Sequence, residues 1–307
     1  MNVAMDERPR PSTRVSAPRR TLRLNAMTVD VEDYFQVQAF AGQIPRAAWD
    51  EIPRRVESNI ERLLQIFVVN DVRATFFILG WIAERHPEMV RRIAAAGHEL
   101  ASHGYDHTRA DRLSVASFRE DVRRSKGLIE EIAGREILGY RAPTFSIGSG
   151  NRWAYEILED EGYQYSSSIY PIRHDLYGDL DAPRTPFRPG AGGLWELPLT
   201  TRRLFGQNFP CAGGGYFRLL PYRISRRNLH HVNVVEELPC IFYLHPWEID
   251  PAQPRVRAVG MRTAFRHYVN IGAMSGRLAR LVADFRWTRM DEVFAQLISP
   301  GTPLTSI

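Results

Sequence analysis

From Leu22 onward, strand-like and helix-like segments alternate, and this alternation restricts the fold more than any other feature of the chain. LRLNAMTV reads as a strand, after which Val56, Ile60, Leu63, Leu64 and Phe67 fall at helical spacing. ATFFIL (74–79) is a strand of the buried type. Pro87 opens a helix that Gly97 can close. HELASH is the next strand, and Ser117 with Glu120 forms a capping box for a helix running to about Gly134. ILGYRAP, a helix around 153–161, YQYSSSI, GLWELPL and CIFYLHPW follow. Beyond Asp250 the order loosens into a PAQPRVRA loop, one or two helices within 265–285, and FRWTRM and DEVFAQL as a last strand and helix. Strands alternating with helices imply parallel β/α units, and so an α/β sheet or barrel. In such folds chemistry gathers at the C-terminal ends of the strands.

Charged residues do stand there. TVDVEDYF crowds Asp30, Glu32 and Asp33 into four positions after an apolar strand start. Carboxylates held this close repel one another. A solvated turn relieves that, and so does a cation. Asp30 and Glu32 share a face if the strand persists, because strand side chains alternate. ASHGYDH follows another strand, and its His103 and His107 can converge from one helical turn or a tight loop. Two histidines and a carboxylate make a standard divalent-metal set with positions left open. In GYRAPTF, Arg141 can pair with Asp30 and orient it. In FYLHPWEID, His245 ends a very apolar strand, where an imidazole can serve as a general acid. HxxxH, a strand-end arginine and a lone histidine are each weak signals alone.

Composition narrows the partners. Residues 1–23 carry six arginines against Asp6 and Glu7, which is +4 of the net +5. The remaining body is close to neutral, so a pI near 9.4 does not argue for a nucleic-acid partner. Residues 1–23 read as a disordered basic arm, 24–300 as a single domain, and 301–307 as a tail. Cys211 and Cys240 form neither a disulfide framework nor a CxxC pair, which fits a reducing compartment. With no spanning helix and no apolar secretory core in the first residues, the expectation is a soluble, cytoplasmic protein.

TVDVED, SHGYDH, RAP and YLHP occur in the order of the motifs of the polysaccharide deacetylases (NodB-homology, carbohydrate esterase family 4), which this chain resembles over about 25–297. DVEDYFQVQAF, GGGYFRLLPY and HPWEIDPAQP resemble the exosortase (PEP-CTERM), exopolysaccharide-associated branch, whose characteristic C-terminal extension would begin at about residue 170. The resemblance implies a distorted (β/α) barrel of the NodB-homology type with its active site at the C-terminal strand ends. It implies one divalent metal ion, usually zinc, and removal of N-acetyl groups from a polysaccharide or lipid-linked glycan in exopolysaccharide biosynthesis. A peripheral contact with membrane-bound polysaccharide machinery goes with that branch. By position, Asp30 matches the catalytic base, His103 and His107 the two histidine ligands, Arg141 the arginine that tunes the base, and His245 the general acid.

The departures matter. Common members carry two adjacent aspartates, the second a metal ligand. Here Val31 follows Asp30, and either Glu32, in an Asp-x-Asp-like pattern, or Asp33 takes the ligand position. Thr144 and Phe145 stand where an aromatic follows RxP, a site expected to lend a backbone N–H to an oxyanion. YSSSIYP has serines where many members place an aspartate near the acid, so His245 lacks an obvious partner; Glu196 and Glu248 are unranked candidates. CAGGG lacks the strand–GxGxxG–helix context of a nucleotide site and reads as a mobile rim of the substrate groove. That groove would be lined by the 213–216 loop, with Gly214 and Tyr216, and by Trp247; Cys211 is a bystander. Two other functions fit the same motifs: hydrolysis of a small cyclic amide, and glycan binding without catalysis.

Overall fold

The computed structural model describes residues 23–298. The basic arm, apart from Arg23, and the tail expected at the two ends lie outside the described residues. Along the chain come β1 (Leu24–Val31), α1 (Val56–Val69), β2 (Thr75–Ile78), α2 (Gly80–Arg85), α3 (Pro87–Ala95), β3 (Glu99–Ser102), α4 (Val115–Ala133), β4 (Gly139–Tyr140), α5 (Trp153–Asp160), β5 (Tyr165–Ser166) and β6 (Trp195–Glu196). Then follow β7 (Thr201–Leu204), β8 (Gln207–Pro210), α6 (Gly214–Leu219), α7 (Tyr222–Val234), β9 (Ile241–Leu244), α8 (Met261–Tyr268), α9 (Ile271–Asp284), β10 (Arg286–Thr288), α10 (Met290–Val293) and α11 (Ala295–Ile298).

Eight strands form one all-parallel sheet in the order β10-β1-β2-β3-β4-β5-β6, with β9 also on β1. Residues 24–26 of β1 pair with 286–288, residues 28–31 with 75–78, and residues 26–29 with 241–244. The sheet curls into a half-barrel ringed by helices, a distorted NodB-type barrel. Among the described residues no ladder joins β6 to β9; in that region the Ile241 N–H donates instead to Thr200 Oγ1, at 2.6 Å.

Strand alternation divides the core in two. Met27, Val29 and Val31 pack with Phe67, Phe76 and Ile93 between sheet and helices. Ala26 faces the barrel interior with Phe77, Ala101, Tyr165, Leu197, Ile241 and Tyr243. Every β1 residue after Leu24 is buried, as expected where helices cover one face of a parallel sheet and the barrel fills the other. Polar Thr28 and Asp30 therefore sit on the interior-facing register, and each needs a partner there.

Two local expectations change. The cap of α4 is Ser114, whose Oγ accepts the Ser117 N–H at 3.1 Å, so the Ser117–Glu120 box is not the helix start. The stretch after CAG is helical rather than loose: α6 begins at Gly214. The β7–β8 hairpin, α2 and α7 were not legible as periodic segments.

Candidate active site

The parallel register brings four strand ends together. Asp30 of β1 pairs with Phe77; His103 directly follows Ser102, which pairs with both Ile78 and Tyr140. Arg141 directly follows Tyr140, and its N–H donates to the Ser102 carbonyl at 2.9 Å. His245 follows Leu244, which pairs with Val29. Asp30, Glu32, His103, His107 and His245 line one cavity of about 550 Å³. A larger hollow of about 990 Å³ lies near Leu24, Arg73 and Trp287, around the opposite strand ends, and contains none of them.

Asp30 and Arg141 are buried together, with Nη1 2.5 Å from Oδ1. The guanidinium is held on every edge. Nη1 also donates to Thr28 Oγ1 at 2.8 Å, Nε to the Ser167 carbonyl at 3.1 Å, and Nη2 to Ser167 Oγ at 3.1 Å. Ser168 Oγ accepts the Ala142 N–H at 2.8 Å. The serines of YSSSIYP thus grip Arg141 and the RAP turn, a role that serine identity alone does not announce.

The two histidines of SHGYDH meet through a loop, with ring centroids 5.6 Å apart. Gly104 makes the loop possible: its φ is +74°, and a Cβ there would meet Asp121 Oδ2 at 2.8 Å. His107 itself holds a left-handed backbone, φ 60°, a conformation uncommon for non-glycine residues that gathers at functional sites. His103 Nδ1 lies 2.8 Å from the Arg141 carbonyl. A carbonyl only accepts, so Nδ1 carries the proton and Nε2 keeps its lone pair. Burial holds His103 down at about 4, and burial together with the neighbouring His103 holds His107 well below the usual histidine range.

Glu32 bridges the two sides. Oε2 is 3.0 Å from His107 Nε2, and Oε1 is 3.0 Å from His245 Nε2. Burial raises its carboxyl to about 7 against the opposing pull of His245. His245 is raised to about 9, because the Glu32 and Glu248 carboxylates outweigh burial.

Asp33 does not join them. Its Oδ2 accepts the N–H groups of Arg55 and Val56, at 2.6 and 2.9 Å, and its Oδ1 that of Tyr34, at 2.8 Å. A carboxylate at the start of α1 satisfies orphan helix donors and favours the positive end of the helix dipole. Of the two carboxylates read as ligand candidates, only Glu32 faces the cavity.

No group of three or more His, Cys, Asp or Glu among the described residues stands in an arrangement that could hold a metal ion. The donor chemistry nevertheless fits one. His103 offers an unprotonated Nε2 whose opposite nitrogen is anchored, the usual second-sphere arrangement of a metal-binding histidine. His107 is held neutral, and Glu32 Oε2, though 3.0 Å from His107 Nε2, is a buried oxygen that makes no hydrogen bond of good geometry.

Comparison with known proteins bears on this geometry. The family model "Polysaccharide deacetylase" matches residues 47–166, and "Domain of unknown function (DUF3473)" matches residues 167–295. A chitooligosaccharide deacetylase from Rhizobium leguminosarum bv. trifolii is 44% identical over 146 residues, 46% of this chain and 60% of that protein. A peptidoglycan deacetylase from Helicobacter pylori is 28% identical over 150 residues, 48% of this chain and 47% of that protein. Residues 47–166 are thus similar to polysaccharide deacetylases, and 167–295 to a family of unknown function. The chain spans about half the length of these curated relatives. A crystal structure titled as a "putative polysaccharide deacetylase" from Mycobacterium smegmatis shares the fold. It superposes with a TM-score of 0.57 at 22% identity, covering 95% of this chain and 97% of that one.

Against the deacetylase motifs, the remaining predicted residues divide. Thr144, Phe145 and Trp247 line the cavity. Thr144 and Phe145 have consecutive positive φ values of 57° and 48°. Phe145 N–H is taken by the Ala142 carbonyl at 3.0 Å. Gly214 and Tyr216 do not line the cavity; from that loop only Gly215 does. Gly214 is buried against Glu248, and Tyr216 packs on the interior core. The reason is helical: once α6 starts at Gly214, that residue turns inward against Glu248 while Gly215 points out to the cavity. Glu196 spends Oε1 on the Ser168 and Ile169 N–H groups, whereas Glu248 Oε1 lies 3.6 Å from His245 Nδ1. Sequence reasoning missed the rim residues His174, Tyr177, Arg262 and Arg266; nothing in their spacing marks them.

Among the described residues no helix is long and apolar enough to cross a membrane.

Proposed function

We propose that this protein is a metal-dependent deacetylase that hydrolyses N-acetyl groups of a glycan. The observation that carries this reading is the single cavity lined by Asp30, Glu32, His103, His107 and His245, with Arg141 ion-paired to Asp30. A divalent ion, zinc by expectation, would be held by His103, His107 and Glu32, and when bound it supplies Lewis-acid polarisation of the acetamide carbonyl.

The chain's own residues do the rest. Asp30, oriented by Arg141, takes a proton from the attacking water. As the C–N bond breaks, His245 passes its Nε2 proton to the departing amine, and acetate and a free amino sugar result. The Thr144 N–H is the oxyanion donor of this reading, since that of Phe145 is engaged.

In support of an extended glycan rather than a small cyclic amide, a second hollow of about 650 Å³ adjoins the cavity and shares Phe145, His174 and Tyr177 with it. The finer reading is a polysaccharide or lipid-linked glycan of exopolysaccharide biosynthesis, as in the PEP-CTERM-associated branch, with peripheral contact to membrane-bound machinery. It rests on the DVEDYFQVQAF, GGGYFRLLPY and HPWEIDPAQP stretches.

The test is acetate release from an N-acetylglucosamine oligomer alongside elemental analysis of purified protein. The expected result is about one zinc-like ion per chain, lost together with acetate release in His103→Ala/His107→Ala. Undiminished acetate release from Asp30→Asn protein would sink the proposal.

A further inference from the structure

The chemistry proposed for His245 leaves open how its ring is held. One ring face is covered by a stack: Trp247 lies 5.2 Å from His245 at 17°, His267 lies 4.1 Å from Trp247 at 12°, and Phe40 closes the far side 4.5 Å from His267. The Nδ1 edge is buried without a well-formed hydrogen bond, and it faces Glu248 across a reciprocal capping turn. Its nearby acceptor is Glu248 Oε1, at 3.6 Å. That gap is longer than a hydrogen bond, as catalytic pairs often are before substrate arrives.

Glu248 is itself fixed. It is 1% exposed and lies 3.4 Å from Nη2 of Arg218, which is 2% exposed. Arg218 is anchored in turn by main-chain carbonyls, with Nη1 donating to His267 and Val269 at 2.8 and 2.9 Å. Gly214, one turn before Arg218 on α6, supplies the space: a Cβ there would come within 1.5 Å of Glu248 Oε2. A buried carboxylate held by a buried guanidinium, with a glycine cleared for it, is costly unless it is paired and bonded. Its other oxygen, Oε2, faces the His245 N–H at 3.5 Å and caps the same turn.

We propose that Glu248, pinned by Arg218 and given room by Gly214, is the positioning residue for His245: its carboxylate accepts the Nδ1 proton and turns Nε2 toward the substrate nitrogen. This rests on the reading of His245 as the general acid. The carboxylate moves no proton to substrate. The Nε2 proton goes to the amine as the C–N bond breaks, and Glu248 keeps the ring from turning.

The experiment compares two acetyl donors in wild type, Glu248→Gln and Gly214→Ala. An N-acetylglucosamine oligomer needs its leaving amine protonated, whereas p-nitrophenyl acetate, with a good leaving group, does not. Both variants are expected to lose about 100-fold in kcat on the oligomer, the scale of a misplaced catalytic group, with KM within about twofold. Hydrolysis of the ester stays within about twofold of wild type. An unchanged kcat on the oligomer, or equal loss on both donors, would overturn the proposal. A second readout is independent of turnover: the Nδ1–H proton of His245 in NMR, assigned against His245→Gln protein. It is expected in wild type and lost in Glu248→Gln. If wild type releases no acetate from the oligomer, the functional reading fails, and this resonance alone decides the positioning role. Persistence of the Nδ1–H signal in Glu248→Gln overturns it.

Discussion

On one side of the cavity, Asp30, His103 and Arg141 stand at the ends of strands that are near neighbours in the sheet. Their partners are close by in that sheet: Thr28, the Arg141 carbonyl and Ser167. On the other side, His245 leans on a residue one short turn ahead, Glu248, which depends on an arginine from a helix 30 residues earlier and on carbonyls from α8 and the residue after it. On the first side His103 and Arg141 lie within residues 47–166, matched by the deacetylase family model, while Thr28 and Asp30 precede it; the second side lies within residues 167–295, matched by a family of unknown function. The contrast separates two ways of holding charge. A parallel register brings strand-end groups together with little extra machinery, whereas a group at an open seam of the barrel has to be braced from the helical layer.

Substitutions can break this contrast. The largest expected effect is on chemistry. Asp30→Asn should lower acetate release from the oligomer by about 10³-fold and p-nitrophenyl acetate hydrolysis with it, since both need an activated water. His245→Gln should impair only the oligomer. Steady-state kinetics on both substrates checks this, and parallel losses in the two variants would erase the distinction between the sides.

Next comes stability. Arg141→Met leaves Asp30 buried without its cation and should cost about 3–5 kcal/mol in urea unfolding. A cost below about 1 kcal/mol would mean that neither the ion pair nor the serine contacts of Arg141 organise that side.

A third prediction uses a histidine away from both. His98 precedes β3, and its Nδ1 accepts the Ala74 N–H at 3.0 Å, so protonation would break that bond. Burial, aided by the nearby Arg289, Arg135 and Arg73, holds it down from 6.5 to about 4. The unfolded chain therefore binds this proton first as the pH falls. The stability it confers is complete above about pH 6.5 and is lost progressively toward pH 4, by about 3 kcal/mol. The difference in urea midpoint between pH 7 and pH 4.5 should shrink in His98→Gln. An unchanged difference would assign the pH sensitivity to the cavity histidines instead.

The smallest effect is at the α4 cap. Ser114→Ala should cost about 1 kcal/mol and leave acetate release untouched, a baseline for changes outside both sides of the site.

Much of this molecule was written locally. The alternation of LRLNAMTV, ATFFIL, HELASH, ILGYRAP and CIFYLHPW with helical periods determined a parallel α/β architecture, because buried strands and amphipathic helices differ in period and composition. Charged residues at strand ends then marked one edge of the sheet, since a carboxylate or guanidinium at the end of an apolar run needs a reason to be there. The sequence could not choose between Glu32 and Asp33. That choice depended on whether the α1 start, 22 residues on, came near enough to take the Asp33 carboxylate. Nor could it read Gly214, a groove residue by appearance that is space for Glu248 in fact, or rank Glu248 over Glu196. Those outcomes are set by distances between segments far apart in the chain. Only tertiary packing brings Arg218 to Glu248, which the local turn already sets beside His245, because no local period relates α6 to β9.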